Sequence, residues 1–399
     1  MQFINVSLLA FLFLALFFDN ADVYRFFFFA GVMPGVLWFF WKSTLPDLFK
    51  TMPTIFIALF ISYLSVNSLL VSNASWADKI DQLRWGIEVL FLSSAIVLSS
   101  QCWLNSSRIY GRLFLFAVLL GALFALVVYI FQADFKIRLS GNGFLSHPIQ
   151  GPSTLLVLWT LGFGLFFVPS RFPVRASDYL LLFFSGLMVF FIAIFSQSRG
   201  PVAATLVTFS FSLLAFYIIV PTVRRQIIFG SSVALIFGVY FLLYRDWLVR
   251  VFTARDLSYR PEIWSAVINN VETYWLFGVG SATKFSDTVP GVVAKESTGF
   301  VFDHTHNIFL QVWLSGGLVA SLMLLGVMVS LTSKLFAKNF TNQYRLFFAG
   351  SASLVVFVMV NFTDTAIPIS APRPDWVLFW LPLLFVTSLV TWRPEGKGL

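Results

Sequence analysis

The sequence predicts an all-α integral membrane protein with about twelve transmembrane helices. Hydrophobic residues make up 58% of the 399 positions and charged residues only 11%, whereas soluble domains have about 25% charged residues. Fifty phenylalanines and thirteen tryptophans suit contact with lipid and the aromatic belts at the membrane interfaces. The apolar residues recur in stretches of roughly 20, the length that crosses a bilayer as a helix.

Twelve apolar segments follow one another along the chain. They run near residues 3–18, 23–41, 52–72, 86–104, 109–131, 149–168, 179–195, 200–220, 226–244, 307–332, 346–361 and 375–391. The longest polar connection joins the ninth segment to the tenth. We therefore divide the chain into nine membrane helices at 1–244, a loop with short helices at 245–306, and three membrane helices with a short tail at 307–399.

Basic residues orient the predicted bundle. With the N-terminus in the cytoplasm, the inner segments carry 13 basic and 3 acidic residues, and the outer segments carry 13 basic and 15 acidic residues. The inner excess follows the positive-inside rule, and the reverse orientation would break it. Topology thus accounts for the net charge of +8. A nucleic-acid partner is not expected, because its site would gather the basic residues on one folded face.

Five polar residues at the outer face share a sequence pattern. Each precedes a proline or an asparagine by one or two positions: His147, Arg199, Arg260, His306 and Arg373. Proline is favoured in the first turn of a helix, so we expect these residues at helix N-termini. A cation there is unfavourable unless an anion also binds. Free N–H groups, the helix dipole and guanidinium groups together suit a phosphate or diphosphate.

The arginines also have simpler interpretations. Arg260 and Arg373 are each followed two positions later by an acid, Glu262 and Asp375, and ordinary ion pairs or contacts with lipid headgroups would explain them. No acid lies in the run 195–200 around Arg199. The anion-site interpretation is therefore stronger for Arg199 than for Arg373.

The three histidines differ in how strongly they indicate a functional site. His304 and His306 lie together at the end of the long loop, and a neutral imidazole at a helix start near arginines can act as a general base. Capping of the helix is the alternative for His306. No Glu-x-x-His motif or cysteine accompanies the pair, so we expect no metal site. His147 stands alone in a turn, where it either contacts substrate or is only structural.

Two further outer positions carry charge. Asp364 follows the eleventh segment and could orient a base, pair with an arginine or be an ordinary solvated acid. Arg84 and Glu88 stand at helical spacing at the outer start of the fourth segment, and this spacing favours a plain ion pair.

The chain resembles the superfamily of O-antigen ligases and polymerases, membrane glycosyltransferases of the bacterial envelope. The topology covers the whole chain, and three local patterns within about 200–310 carry the specific likeness. They are Ser198-Arg199-Gly200, then Arg260-Pro261-Glu262-Ile263-Trp264 followed by Gly278-Val279-Gly280, then His304-Thr305-His306-Asn307-Ile308-Phe309-Leu310. The long loop is short for a polymerase and a second large outer loop is absent, which favours a ligase.

The resemblance implies a GT-C-like fold in the bacterial inner membrane, with the active site on the periplasmic side. It implies transfer of O-antigen from undecaprenyl diphosphate to a hydroxyl of lipid A-core, with inversion and without metal, ATP or another cofactor. His306 matches the family's catalytic base, and Arg199 and Arg260 match its diphosphate-binding arginines. Further substrate contacts are expected from His147, His304, Asn307, Asp364, Arg373 and Arg84.

Two other functions remain open at this stage. A repeat-unit polymerase or another lipid-linked oligosaccharide transferase would use the same donor chemistry with a different acceptor. A flippase or solute transporter would place its polar groups near the middle of the membrane, often on broken helices. The predicted spans are almost free of charge in their interiors, which disfavours an ion-coupled carrier.

Overall fold

In the computed structural model, the protein is a bundle of helices. The structure describes residues 1–43, 46–132, 138–139, 141–170, 174–219, 230, 259–340, 343–363 and 367–392. The helices in these ranges are α1 (Gln2–Leu14), α2 (Ala21–Lys42), α3 (Met52–Val71), α4 (Trp76–Asn105), α5 (Ser107–Gln132), α6 (Gln150–Phe167), α7 (Ala176–Phe195), α8 (Arg199–Ile219), α9 (Arg260–Asn269), α10 (Val289–Thr298), α11 (Ile308–Phe340), α12 (Tyr344–Thr363) and α13 (Trp376–Thr391). These ranges contain no strand.

The prediction of an all-α, multi-pass membrane protein is confirmed. Within the described ranges, nine helices are long and apolar enough to cross a membrane, and α1 and α13 are shorter apolar helices. Eleven of the twelve predicted segments correspond to these helices. The ninth segment, 226–244, lies outside the described residues. The orientation and the domain boundaries at 244 and 306 stay predictions.

Helix α4 corrects one predicted boundary. It begins at Trp76, because the Ser75 side chain accepts the N–H of Asp78 and caps the helix there. The predicted start at 86 was set by hydropathy, whereas the helix also includes the polar stretch 76–85 before it. Arg84 and Glu88 therefore lie inside α4 rather than at its outer start.

Helix α6 forms the centre of the bundle. Every residue from Gly151 to Phe167 is buried, and the helix packs against α5, α7, α8 and α12. Its sequence is apolar on all sides, as expected for a helix enclosed by others. With 18 residues, it is about 27 Å long. One end therefore lies beside His147 and the other lies on the far side of the bundle.

Buried aromatic rings hold the N-terminal helices against α13. The ring of Phe11 in α1 lies 5.8 Å from Phe28, 6.2 Å from Phe144 and 6.0 Å from Trp376, measured between centroids. All four side chains are almost fully buried. This packing fixes the start of α13, and Arg373 stands directly before that start.

Helix α11 is broken at Gly317. This residue has φ 64° and ψ −161°, a conformation that is essentially restricted to glycine. The outer loop fills the break: the carbonyl of Trp275 accepts the N–H of Leu318 at 2.8 Å, and the N–H groups of Val279 and Gly280 donate to carbonyls just before the break at 2.8 and 2.9 Å. The backbone groups freed by the break are thus satisfied within the protein.

The break also corrects the predicted tenth span, 307–332. Residues 308–316 form a short helical segment of their own, and the long apolar helix follows Gly317 and continues to Phe340. His306 therefore precedes a short helix that leads into the membrane helix.

The described part of the outer loop has its own small core. Helices α9 and α10 pack against each other and against the first turns of α11. Their shared core consists of Ile263, Ala266, Val267, Tyr274, Phe285, Ala294 and Leu314. The loop is predicted to contain short helices, and one of them is observed at Arg260–Asn269. Residues 245–258 lie outside the described ranges.

Candidate active site

Arg260 is the first residue of α9, as the following Pro261 predicts. Tyr259 before it has φ 56°, in the left-handed region, which turns the chain sharply into the helix. One turn later, the indole Nε1 of Trp264 donates to the carbonyl of Thr305 at 3.0 Å. This bond ties the helix that carries Arg260 to the segment that carries the two adjacent histidines.

The segment 304–307 is fixed by buried hydrogen bonds. Thr305 is fully buried; its N–H donates to Gln311 Oε1 at 3.1 Å, and its hydroxyl donates to the carbonyl of Asn307 at 2.8 Å. The side-chain oxygen of Asn307 accepts the N–H groups of Phe309 and Leu310 at 2.9 and 3.2 Å. Asn307 is thus the N-cap of α11, a structural role beside the predicted contact with substrate.

His304 and His306 face each other. Their ring centroids are 4.1 Å apart, with the planes tilted by 52°. The pKa of His304 is lowered to about 3, first by burial and then by electrostatic interaction with His306, Arg373, His147 and Arg260. His304 is therefore a neutral imidazole at neutral pH. The same electrostatic contacts place four predicted site residues close to it.

Arg199 joins this region through contacts of its neighbours. It is the first residue of α8, and the preceding Ser198 donates its hydroxyl to the carbonyl of Pro148 at 3.1 Å. A Cβ at Gly200 would lie 2.8 Å from the Thr363 hydroxyl, so α8 starts against the end of α12. The start of α8 is thus held between the turn after His147 and the end of α12.

The end of α12 also contacts α9. The ring of Phe362, the neighbour of Thr363, packs edge-on against Trp264 with 5.6 Å between centroids. The helices that begin with Arg199 and Arg260 therefore meet through α12 at one end of the bundle. The end of α12 thus lies between the starts of α8 and α9.

Backbone strain marks the same three places. Among the described residues, the non-glycine positions with positive φ are Gln197 (52°), Tyr259 (56°) and His306 (54°). Gln197 stands two residues before Arg199, and Tyr259 stands one before Arg260. Such conformations cost about 1–3 kcal/mol each and cluster at functional sites. Their coincidence with the three predicted catalytic residues supports a functional assignment of this region.

Arg373 lies at the start of α13 and forms the ion pair that the simpler interpretation predicted. Its Nε is 2.5 Å from Asp375 Oδ2, with the carboxylate almost fully buried. Arg25 donates from Nε and Nη2 to the carbonyl of Pro372 at 3.4 and 3.2 Å, which fixes this turn. Arg373 still contributes positive charge at His304. A structural ion pair and a role in the site therefore coexist in this residue.

His147 is exposed and its side chain caps a turn. Its Nδ1 accepts the N–H groups of Ile149 and Gln150, both at 3.3 Å. This pattern favours the tautomer with hydrogen on Nε2. The residue is thus partly structural, while its effect on His304 places it at the rim of the site.

Arg84 and Asp364 are the remaining residues that the sequence predicts to contact substrate. Arg84 forms the predicted ion pair with Glu88 at 3.5 Å and a further one with Asp81 at 3.1 Å. Its contact with substrate stays a prediction. Asp364 lies outside the described residues, directly after Thr363.

Sequence reasoning missed two arginines that hold the site in place. Arg25 fixes the turn before Arg373, as described above. Arg138 donates from Nε to the carbonyl of Ser196 at 3.1 Å and from Nη2 to the hydroxyl of Ser198, and so fixes the turn before Arg199. The available signal was an isolated arginine, near the start of the second apolar segment for Arg25 and in the connection after the fifth for Arg138, and such a residue alone says little about position.

Imidazole groups lie beside helix N-termini and guanidinium groups, which suits a reaction that removes a proton and develops negative charge on a phosphate. Among the described residues, no group of three or more histidine, cysteine, aspartate or glutamate side chains is arranged to hold a metal.

The chain is similar in sequence to known proteins. The fold defines a multi-pass membrane protein, and residues 183–325 match the family model described as O-antigen ligase. The matched range contains Arg199, Arg260, His304 and His306. The chain is also 23% identical over 389 residues to the O-antigen ligase of Pseudomonas aeruginosa strain PAO1, a match that covers 93% of this chain and 86% of that protein. The chain is thus similar to O-antigen ligases, both in the segment that contains these residues and along most of its length.

Proposed function

We propose that the protein transfers an O-antigen glycan from undecaprenyl diphosphate to a hydroxyl group of lipid A-core, at the periplasmic face of the bacterial inner membrane. The observation that carries the proposal is the contact between the His304 and His306 rings, in a segment to which the helix that begins at Arg260 is bonded through Trp264. The name of the Pseudomonas relative supports a ligase over a polymerase.

His306 is the proposed general base. It accepts the proton of the acceptor hydroxyl while that oxygen attacks the anomeric carbon, and the bond from that carbon to the diphosphate breaks. Attack from the face opposite the leaving group inverts the anomeric centre. His304 is neutral at neutral pH. It therefore adds no positive charge beside His306 when His306 takes up the proton.

Arg199 and Arg260 are the proposed ligands of the diphosphate. Each begins a helix, so guanidinium N–H groups and helix N–H groups are available to the same anion. Undecaprenyl diphosphate leaves with an additional negative charge, and preorganised donors stabilise that charge as it develops. The diphosphate linkage is already activated, so the reaction as proposed uses no nucleotide and no metal.

The test is transfer in vitro by the purified protein. Lipid-linked O-antigen and lipid A-core are supplied with a metal chelator, and the capped product is detected on a gel. We expect product in the presence of chelator. Elongation of the lipid-linked glycan without transfer to lipid A-core would identify a polymerase instead. The absence of any new linkage would overturn both the ligase and the polymerase assignments.

Replacing the proposed base gives a sharper test. We expect His306→Ala to lower the rate of transfer by at least about 100-fold, the lower range for general base catalysis, while the protein still inserts and accumulates. Lys295→Gln removes an exposed cation from α10 of the outer loop and serves as the control. Normal capping by His306→Ala would show that His306 is not the base.

A further inference from the structure

We propose a second anion site at the end of the bundle opposite the histidines, where the protein binds the phosphate of an anionic phospholipid. The site is a cavity of about 200 Å³ between the ends of α6 and α8 and the starts of α5, α7 and α12. Helices α6, α8 and α12 carry the candidate active site at their other ends. The two polar regions are thus separated by the length of α6, about 27 Å.

Arg108 is the main observation. It lines the cavity and is only 6% exposed. Its Nη1 donates to the carbonyl of Phe166, and its guanidinium lies over the Phe166 ring at 5.3 Å from the centroid. Its Nε is buried without an acceptor. A buried cationic donor that lacks an acceptor is costly, and an anion in the cavity would supply one.

The carboxylate that lines the cavity, Asp178, already has hydrogen-bond partners. Asp178 accepts from Arg112 Nε and Nη2 at 2.7 and 3.0 Å, and from the backbone N–H of Arg175 at 2.9 Å. Asp178 is therefore committed to Arg112 and to the cap of α7. Arg345, which is exposed, also lines the cavity. The described lining residues thus present two guanidinium groups and one carboxylate that is already paired.

The walls of the cavity identify the source of the phosphate. Phe167, Leu182, Phe216 and Ile219 form apolar sides around the two arginines. A phospholipid fits both features, because its phosphate would reach the guanidinium groups while its upper acyl chain packs on the apolar residues. Free inorganic phosphate would meet the charge and leave the apolar walls without a partner.

The test is lipid retention by the intact, detergent-purified protein, measured by native mass spectrometry. Phosphatidylglycerol is the probe, phosphatidylcholine is the neutral comparison, and inorganic phosphate is the competitor. We expect preferential retention of phosphatidylglycerol that millimolar phosphate does not displace. Arg345→Gln should weaken this retention by about tenfold, the loss of one charge-assisted contact. Lys334→Gln, an exposed cation at the same end but outside the cavity, should leave it unchanged.

A second variant guards against misfolding. Arg108→Gln keeps a polar side chain at the buried position. Its elution in size-exclusion chromatography shows whether the variant remains folded. If it does not, lipid retention by Arg345→Gln alone decides on the proposed site. The proposed site would be wrong if the two lipids were retained equally. It would also be wrong if Arg345→Gln lost no more phosphatidylglycerol retention than Lys334→Gln. Displacement by inorganic phosphate would overturn the lipid as its ligand. Transfer activity is not needed for any arm, so the result is independent of the proposed function.

Discussion

His304 shows how the surroundings set the chemistry of a single residue. Its imidazole is buried next to that of His306 and interacts electrostatically with Arg373, His147 and Arg260, so its pKa falls from an ordinary 6.5 to about 3. His306 shares the segment but has the strained backbone, with φ 54°. The structure thus gives the two histidines different properties, although the sequence presents them as a simple repeat.

The lowered pKa of His304 predicts how stability depends on pH. Between about pH 6.5 and 3 the unfolded chain binds a proton at this position and the folded chain does not, so acid favours unfolding in that window. Above about pH 6.5 the residue has no such effect. We expect the melting temperature of the wild type to fall more between pH 7 and pH 5 than that of His304→Asn. Lys295→Gln is the control, and equal falls in wild type and His304→Asn would contradict the prediction.

The arginines predict a second result at the residue scale. Arg199→Lys and Arg260→Lys keep the charge but lose the planar fork that binds a diphosphate through two parallel bonds. We expect each to lower kcat/KM for transfer by about 10- to 100-fold, which corresponds to about 1.4–2.8 kcal/mol. Steady-state assays with the lipid-linked donor measure this. Full activity in both variants would show that these arginines act only through their charge. Lys295→Arg is the control and should have no effect.

At the scale of elements, helix starts organise the site. The starts of α9, α11 and α13 act on His304, and α8 begins against the end of α12, which also contacts α9. The positive ends of these helix dipoles add to the charge of the arginines. The turns that precede them are held by Arg138, Tyr259, Thr305 and Arg25. The functional groups are therefore placed by the entry angles of helices.

The break in α11 predicts a strong effect of one methyl group. A Cβ at Gly317 would lie 2.2 Å from the carbonyl oxygen of Leu276, in addition to the strain of φ 64°. We expect Gly317→Ala to destabilise the protein by at least about 1–3 kcal/mol from backbone strain alone. Gly326→Ala is a matched control in the same helix, where the nearest atom, on Phe56, is 3.6 Å away, and alanine gains up to about 1 kcal/mol from helix propensity.

Thermal unfolding of the two glycine variants in detergent measures this difference. A melting temperature for Gly317→Ala equal to that of Gly326→Ala would show that the outer loop does not depend on the break. Because the loop carries Gly278 and Gly280, whose own φ values are 75° and 80°, we also expect Gly317→Ala to impair transfer.

The same elements show how far sequence reasoning reaches. Apolar stretches and prolines predicted the spans and the helix starts at Arg199, Arg260 and Arg373, because hydropathy and proline geometry are local properties. The break at Gly317 was missed, since its partner loop lies some 40 residues earlier and no local pattern reports that pairing. The burial of His304 and the bonds of Arg138 and Arg25 depend on contacts between distant segments for the same reason.

At the scale of the whole molecule, polar groups lie at both ends of an apolar bundle. One end gathers the histidines and helix starts, and the other gathers Arg108, Arg112 and Arg345 around Asp178. The central helix α6 is buried along its whole length between them. A transporter would place polar groups along such a path; the described residues of α6 offer only Ser153, Thr154 and Thr160 as buried hydroxyls.

The orientation of the bundle is the last prediction, and it decides which leaflet each polar end faces. The N-terminus and the Arg108 end should face the cytoplasm, because 13 of the 26 basic residues but only 3 of the 18 acidic ones fall on that side. The protein has a single, half-buried cysteine, Cys102, so a Cys102→Ser background allows single exposed cysteines to be labelled. In intact spheroplasts, a membrane-impermeant maleimide should label Lys295→Cys at once and Lys50→Cys only after permeabilisation. Immediate labelling of Lys50→Cys with protection of Lys295→Cys would invert the topology and place the histidines on the cytoplasmic side, where transfer to lipid A-core at the periplasmic face is impossible.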